Sequence, residues 1–103
     1  MTYPIKFRAR VARDLAAGRQ WYESQGGSAL GERFLSAVTA TFDEIRVRPK
    51  AFRLVNEEVR HAVVRRFPYL VFFLFEHNEV VVLAVLHSSR NPLLWPRSRK
   101  RAH

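Results

Sequence analysis

Apolar and polar positions alternate from Tyr3 to Arg8, where Tyr3, Ile5 and Phe7 interleave with Pro4, Lys6 and Arg8. A period of two predicts a short strand, and Pro4 confines it to a sheet edge or to the strand's first position. From Ala9 the spacing changes. Val11, Leu15, Gly18 and Tyr22 recur at helical intervals, with Ala12, Ala16 and Trp21 beside them. This predicts a helix over residues 9–25 that turns Trp21 and Tyr22 towards the core. Gly26 and Gly27 end it. Ser28 then reads as the N-cap of a second helix, with Glu32 near its first turn. The inward face is Phe34, Leu35, Val38, Phe42 and Ile45, and Pro49 is the stop. So short a connection predicts an antiparallel helical hairpin.

Residues 50–58 read as a loop, followed by three strands over 59–66, 69–76 and 79–87. His77 and Asn78 form a two-residue hairpin turn, because asparagine tolerates a positive φ. The last two strands are apolar at both parities, which predicts central positions with both faces at least partly covered. The order β-α-α-β-β-β predicts an α+β fold, with the helical hairpin packed on one face of a small, mainly antiparallel twisted sheet. The opposite face is expected to be shallower and cationic. A single domain over 1–96 is expected, with residues 97–103 as a basic tail.

Composition sharpens the class. Of the 103 residues, 48% are hydrophobic and 13% aromatic, which is enough for a true core. A domain of this size buries about 65% of its unfolded surface. Eighteen Lys and Arg oppose nine Asp and Glu, for a formal charge of +9 and a pI near 11.3. That balance favours an acidic partner, either nucleic acid or an acidic protein segment. A membrane surface would call for a basic amphipathic helix, which this pattern lacks. The absence of cysteine excludes disulfides, thiolate nucleophiles and cysteine-ligated zinc. His61, His77, His87 and His103 are not spaced as metal ligands, so neither a metal nor another cofactor is expected. The N-terminus carries no signal-peptide pattern, and the longest apolar run, Leu70 to Phe75, cannot span a bilayer. A cytoplasmic location is the expectation.

Several positions carry candidate chemistry. His87 follows directly where the last strand runs out, and reads either as a general acid–base group or as a polar cap. Arg90, three residues on, is close enough to share a phosphate with it. Arg65 is the further candidate for stabilising a developing phosphorane charge. Strand alternation puts Arg60 and Arg66 on one face and His61 and Arg65 on the other. Arg60, Arg66 and Tyr69 are candidate target-binding groups, Tyr69 by stacking on a base. Trp95 reads as a lid over the C-terminal end. Arg97 and Arg99, in the basic run, supply charge that would contact phosphates without reading sequence.

Five segments together resemble the RelE/ParE toxin superfamily of bacterial type II toxin–antitoxin modules. They are D-L-A-A-G-R-Q-W-Y-E at 14–23, L-G-E-R-F-L at 30–35, R-P at 48–49, R-R-F-P-Y-L-V-F-F at 65–73 and A-V-L-H-S-S-R-N-P at 84–92. The resemblance covers nearly the whole chain. It implies a small toxin neutralised by an acidic or amphipathic antitoxin segment that wraps it, in a complex such as a heterotetramer. RelE-like members resemble metal-independent endoribonucleases that cut messenger RNA on the ribosome, whereas ParE-like members poison DNA gyrase. The ribonuclease branch carries an arginine just before the L-V-Y-like strand and a histidine or tyrosine later. Here Tyr69 occupies the first position and His87 the second, with Arg65 or Arg66 left to substitute for the arginine. Gyrase inhibition therefore stands first, ribosome-dependent RNA cleavage second, and a non-toxic antitoxin-binding module third.

Overall fold

A computed structural model describes residues 2–97. The chain runs through β1 (Ile5–Phe7), a helical stretch (Arg10–Val47), a 3-10 turn (Pro49–Ala51), β2 (Arg53–Asn56), β3 (Val59–Val63), β4 (Tyr69–Glu76), β5 (Glu79–His87) and a second 3-10 turn (Pro92–Leu94). The helical stretch is two limbs. Gly26 (φ −146°, ψ 15°) and Gly27 (φ 83°, ψ −178°) leave helical geometry between them. Gly27 occupies a region of backbone space that is essentially reserved for glycine. We call residues 10–25 α1 and residues 28–47 α2.

Contacts across the break show the limbs folding back on each other. Arg19 binds Glu23 on its own limb at 3.0 Å and Glu32 on the other at 3.4 Å. Tyr22 packs on Phe34 with ring centroids 5.2 Å apart. The approach is tight at Gly18, where an added Cβ would stand 2.6 Å from the Phe34 ring. The helical hairpin expected from the two glycines is therefore present, and its inner face is the expected stripe without Trp21. Trp21 is 56% exposed, while Val11, Gly18 and Tyr22 turn inward. Trp21 lies beside that stripe, about 100° round the helix from Tyr22.

The sheet order is β1-β5-β4-β3-β2. β1 pairs with β5 in parallel, and every other pairing is antiparallel. Two boundaries differ from the sequence expectation. The supposed loop over 50–58 contains the 3-10 turn and the edge strand β2, a short, partly exposed strand whose R-L-V-N pattern lacks clean alternation. β3 ends at Val63, not Arg66, because Arg66 takes a left-handed φ of 68° in the turn to β4. The His77-Asn78 turn has both residues at positive φ (53° and 58°), closing the Glu76–Glu79 pair as a tight hairpin requires.

Both faces of the sheet are apolar. Towards the helices lie Ala62, Val64, Tyr69, Val71, Phe73, Val80, Val82 and Val85, packed on Val11, Phe34, Val38 and Ile45. The far face carries Val59, Leu70, Phe72, Leu74, Leu83, Ala84 and Leu86, with Val55, Val81 and Trp95 against them. The shallow cationic face expected from the sequence is thus an apolar one, lidded by the segment around Trp95. A bulge in β5 sets the parity. Phe72 faces Ala84 but Phe73 faces Val82, leaving Leu83 unopposed. Leu83 and Ala84 consequently share the far face, and Val85 crosses to the helix face.

Candidate functional site

Three surfaces collect the candidate side chains. At the end of β5, Tyr69 and His87 are register partners. Their rings meet edge-on, 5.3 Å apart. The bulge at Leu83 is the cause, since it carries His87 to the same parity as Val85. Behind them stands an aromatic cluster in which Tyr22, Phe34 and Phe67 all contact Tyr69 or one another. Burial first, then the neighbouring Tyr22, pushes the Tyr69 hydroxyl above the ordinary tyrosine range, and the Arg90 charge pulls it partly back. Tyr22 is raised by burial as well.

His87 is held by its own turn. The Ser89 amide donates to Nδ1 at 3.0 Å, and the Ser89 hydroxyl lies 2.8 Å from the same nitrogen. An amide can only donate, so Nδ1 is the bare acceptor and a neutral ring carries its proton on Nε2. The outward nitrogen is thus a donor, suited to binding an acceptor rather than taking a proton. The Arg90 amide closes the turn on the His87 carbonyl at 3.0 Å, and the Ser88 amide ties it to the Pro68 carbonyl at 2.7 Å. Ser89, the anchor of the ring, was not singled out from the sequence. Its signal was a hydroxyl two residues beyond a strand-terminal histidine.

The second surface is a groove of about 860 Å³ between α2 and the β3–β4 turn. Ala37, Ala40 and Thr41 form its α2 wall, Phe67 and Pro68 its turn wall, and Arg33, Arg65, Arg66 and Glu44 are polar groups among its lining. Arg65 and Arg66 therefore belong here together. Expectation had put them on opposite strand faces, an alternation that stops where β3 ends. No hydrogen bond among the described residues joins Arg65 to His87 or Arg90. Arg60 lies apart from both, with Nη1 donating to the Phe52 carbonyl at 2.7 Å and so tying β3 to the chain entering β2.

The third surface is the strap over the far face. Trp95 packs on Phe72 at 5.1 Å and His61 at 5.9 Å, and Asn56 Nδ2 donates to the Pro96 carbonyl at 3.2 Å. Beneath it, Asn56 Oδ1, His61 Nδ1 and Trp95 Nε1 are buried without a hydrogen-bond partner among the described residues. Burial, then the charge of Arg53, lowers the His61 pKa. Arg97 ends the strap in a small cleft with Arg8 and Arg10. Arg99 lies outside the described residues. Among those residues no group of three or more His, Asp or Glu gathers as a metal site, and no helix is long and apolar enough to cross a membrane.

A helical hairpin on a mixed five-stranded sheet is the architecture of RelE/ParE-like toxins. The chain superimposes on a chain of the chromosomal ParDE toxin–antitoxin system from P. aeruginosa with a TM-score of 0.75 and 16% identity, covering 84% of this chain and 96% of that one. For the toxin–antitoxin complex RelBE2 from Mycobacterium tuberculosis the TM-score is 0.60 at 24% identity, over 84% of this chain and 99% of that one. The archaeal RelE–RelB complex from Pyrococcus horikoshii OT3 gives 0.50 at 17% identity, over 88% and 100%. No curated protein sequence matches. The family model of the ParE toxin of type II toxin-antitoxin system, parDE, matches residues 5–92, and the chain belongs to that family.

Proposed function

We propose that this toxin arrests growth by inhibiting DNA gyrase and is neutralised in the cytoplasm by an acidic antitoxin segment. Tyr69 carries the choice of target. At the position where the ribonuclease branch resembled above has a cation, this chain has a buried tyrosine inside an aromatic cluster. The candidate replacements, Arg65 and Arg66, line the groove on α2 instead. The His87 turn supports the same reading, because the Ser89 amide occupies the nitrogen that would otherwise be free as a base. The groove supports the partner: an amphipathic helix could lay its apolar face against Ala37, Ala40 and Phe67 and its acidic groups against Arg33, Arg65 and Arg66.

Ribosome-dependent RNA cleavage is the second reading, favoured by the presence of His87 and Arg90 on one turn. Purified protein assayed for inhibition of gyrase supercoiling and for cleavage of ribosome-bound messenger separates the two. Loss of supercoiling without cleavage is expected; cleavage without loss of supercoiling would reverse the assignment. His87→Ala and Arg90→Ala should each cut toxicity at least tenfold while leaving antitoxin binding and the thermal midpoint near wild type. If both variants remain fully toxic, the target-binding surface lies elsewhere. A parent chain inert in both assays but still able to bind antitoxin would be a non-toxic binding module.

A further inference from the structure

A cleft of about 260 Å³ opens where β1 passes into α1, between Arg8, Arg10, Leu83, Pro96 and Arg97. Three features of the fold converge to build it. The β5 bulge leaves Leu83 unopposed on the far face, where it lines the cleft. Beyond the end of β1 the Val85 amide donates to Asp14 Oδ2 at 3.0 Å, and the same carboxylate takes Arg10 Nε and Nη2 at 3.2 Å each. Arg10 is thereby clamped in place, not left free in solvent. The strap supplies the third wall, with Trp95 and the Asn56–Pro96 bond fixing the backbone that leads to Arg97. Arg8 is pinned through its amide to the Val82 carbonyl at 2.9 Å.

We propose that this cleft binds a phosphodiester of a nucleic-acid backbone. No acidic residue lines it, and Asp14 offsets only one of the three guanidinium charges. The arginines arrive from a strand end, a helix start and the strap, so three cationic side chains from different elements line one cleft. Phosphate oxygens radiate tetrahedrally and can meet such donors together, whereas a carboxylate offers two coplanar oxygens suited to a single fork. Pro96, over the buried Leu83, adds an apolar surface that a sugar face can rest on. The chain's charge of +9 draws a polyanion in over longer range. The cleft abuts the strap-covered face and the groove on α2 the helix-covered one, so a partner in the groove would leave the cleft open. This inference stands independently of which target the toxin poisons.

The test is fluorescence anisotropy of the purified full chain with a labelled random-sequence DNA duplex across a sodium chloride series. Arg97→Ala and Arg8→Ala should each weaken binding about fivefold or more and flatten the slope of log K against log salt by about 0.9 per lost phosphate contact. Lys50→Ala, which removes the same charge from an exposed turn outside the cleft, should stay within about twofold. Arg97 is exposed near the chain end, so its variant carries the test even if Arg8→Ala folds poorly. Pyrophosphate should displace the duplex, and a polyglutamate peptide should do so less well at equal charge. Equal losses for Lys50→Ala and Arg97→Ala would reduce the binding to diffuse charge and overturn the proposal. Stronger displacement by polyglutamate would make the cleft a carboxylate site and overturn it too.

Discussion

On the helix side of the sheet, Phe34, Val38 and Ile45 arrive from a continuous limb, and each is at most 1% exposed. On the other side, equally apolar strands are closed around Trp95, the one large ring the strap contributes, which stays only half-buried while Leu93 and Leu94 face outward. On the helix side Tyr22, Phe34, Phe67 and Tyr69 join in one contact network. The strap side buries three polar atoms that find no partner among the described residues. Each such atom forfeits its hydration without a compensating bond, a cost of about 1–3 kcal/mol. A helix delivers a side chain every turn and satisfies its own backbone, whereas an irregular strap does neither. One sheet therefore has a firmly sealed face and a lightly latched one, and the arginine cleft adjoins the latch whereas the His87 ring rests against the sealed side.

The contrast can be broken by truncation. Phe34→Ala should cost about 3–5 kcal/mol, the range for deleting a fully buried aromatic, read as a large fall in the thermal midpoint. Trp95→Ala should cost less, about 2 kcal/mol, because that ring is only partly buried. If the two variants melt together, the strap is no weaker than the helices and the contrast fails.

A smaller effect, in pH, would sharpen it. His61 has a folded-state pKa below its ordinary value, so its unfolded form binds the proton more readily. Its contribution to stability is complete above about pH 6.5 and is lost as pH falls from there through the lower folded-state value. Tyr69 and Tyr22 are raised, so their contribution is complete below about pH 10 and lost as pH rises through the higher folded-state values. Acid should loosen the strap first and alkali the helix face first. Trp95 emission in a Trp21→Phe background reports the strap, and far-ultraviolet dichroism reports the helices. His61→Gln should remove the acid arm and Tyr69→Phe should shrink the alkaline one. Coincident changes in both signals at both extremes would mean that the two faces open as one unit.

Most of the secondary structure is legible without coordinates. The Gly26-Gly27 break, the helical stripe ending at Pro49 and the His77-Asn78 turn each rest on local backbone chemistry, which a few neighbouring residues decide. β2 was missed because a four-residue edge strand with mixed exposure has no clean period. Trp21 was misplaced because the stripe passes one position beside it. For the same local reasons, His87 and Arg90 could be picked out as candidates where a strand ends.

What the amino-acid order determined by itself is therefore the main elements apart from β2, the apolar character of the two central strands on both parities, the excess positive charge and the residues that resemble a toxin family. Which side chains share a surface was decided only in three dimensions. The bulge at Leu83 shifts the parity of β5 and brings His87 to Tyr69; the left-handed turn at Arg66 sends Arg65 and Arg66 to the groove; and the Asp14 clamp with the Trp95 strap draws Arg8, Arg10 and Arg97 around one cleft. Sequence periodicity cannot carry these outcomes, because a single unpaired residue reverses every later side chain in a strand. Where such a residue falls is settled by packing and hydrogen bonding between segments far apart in the chain.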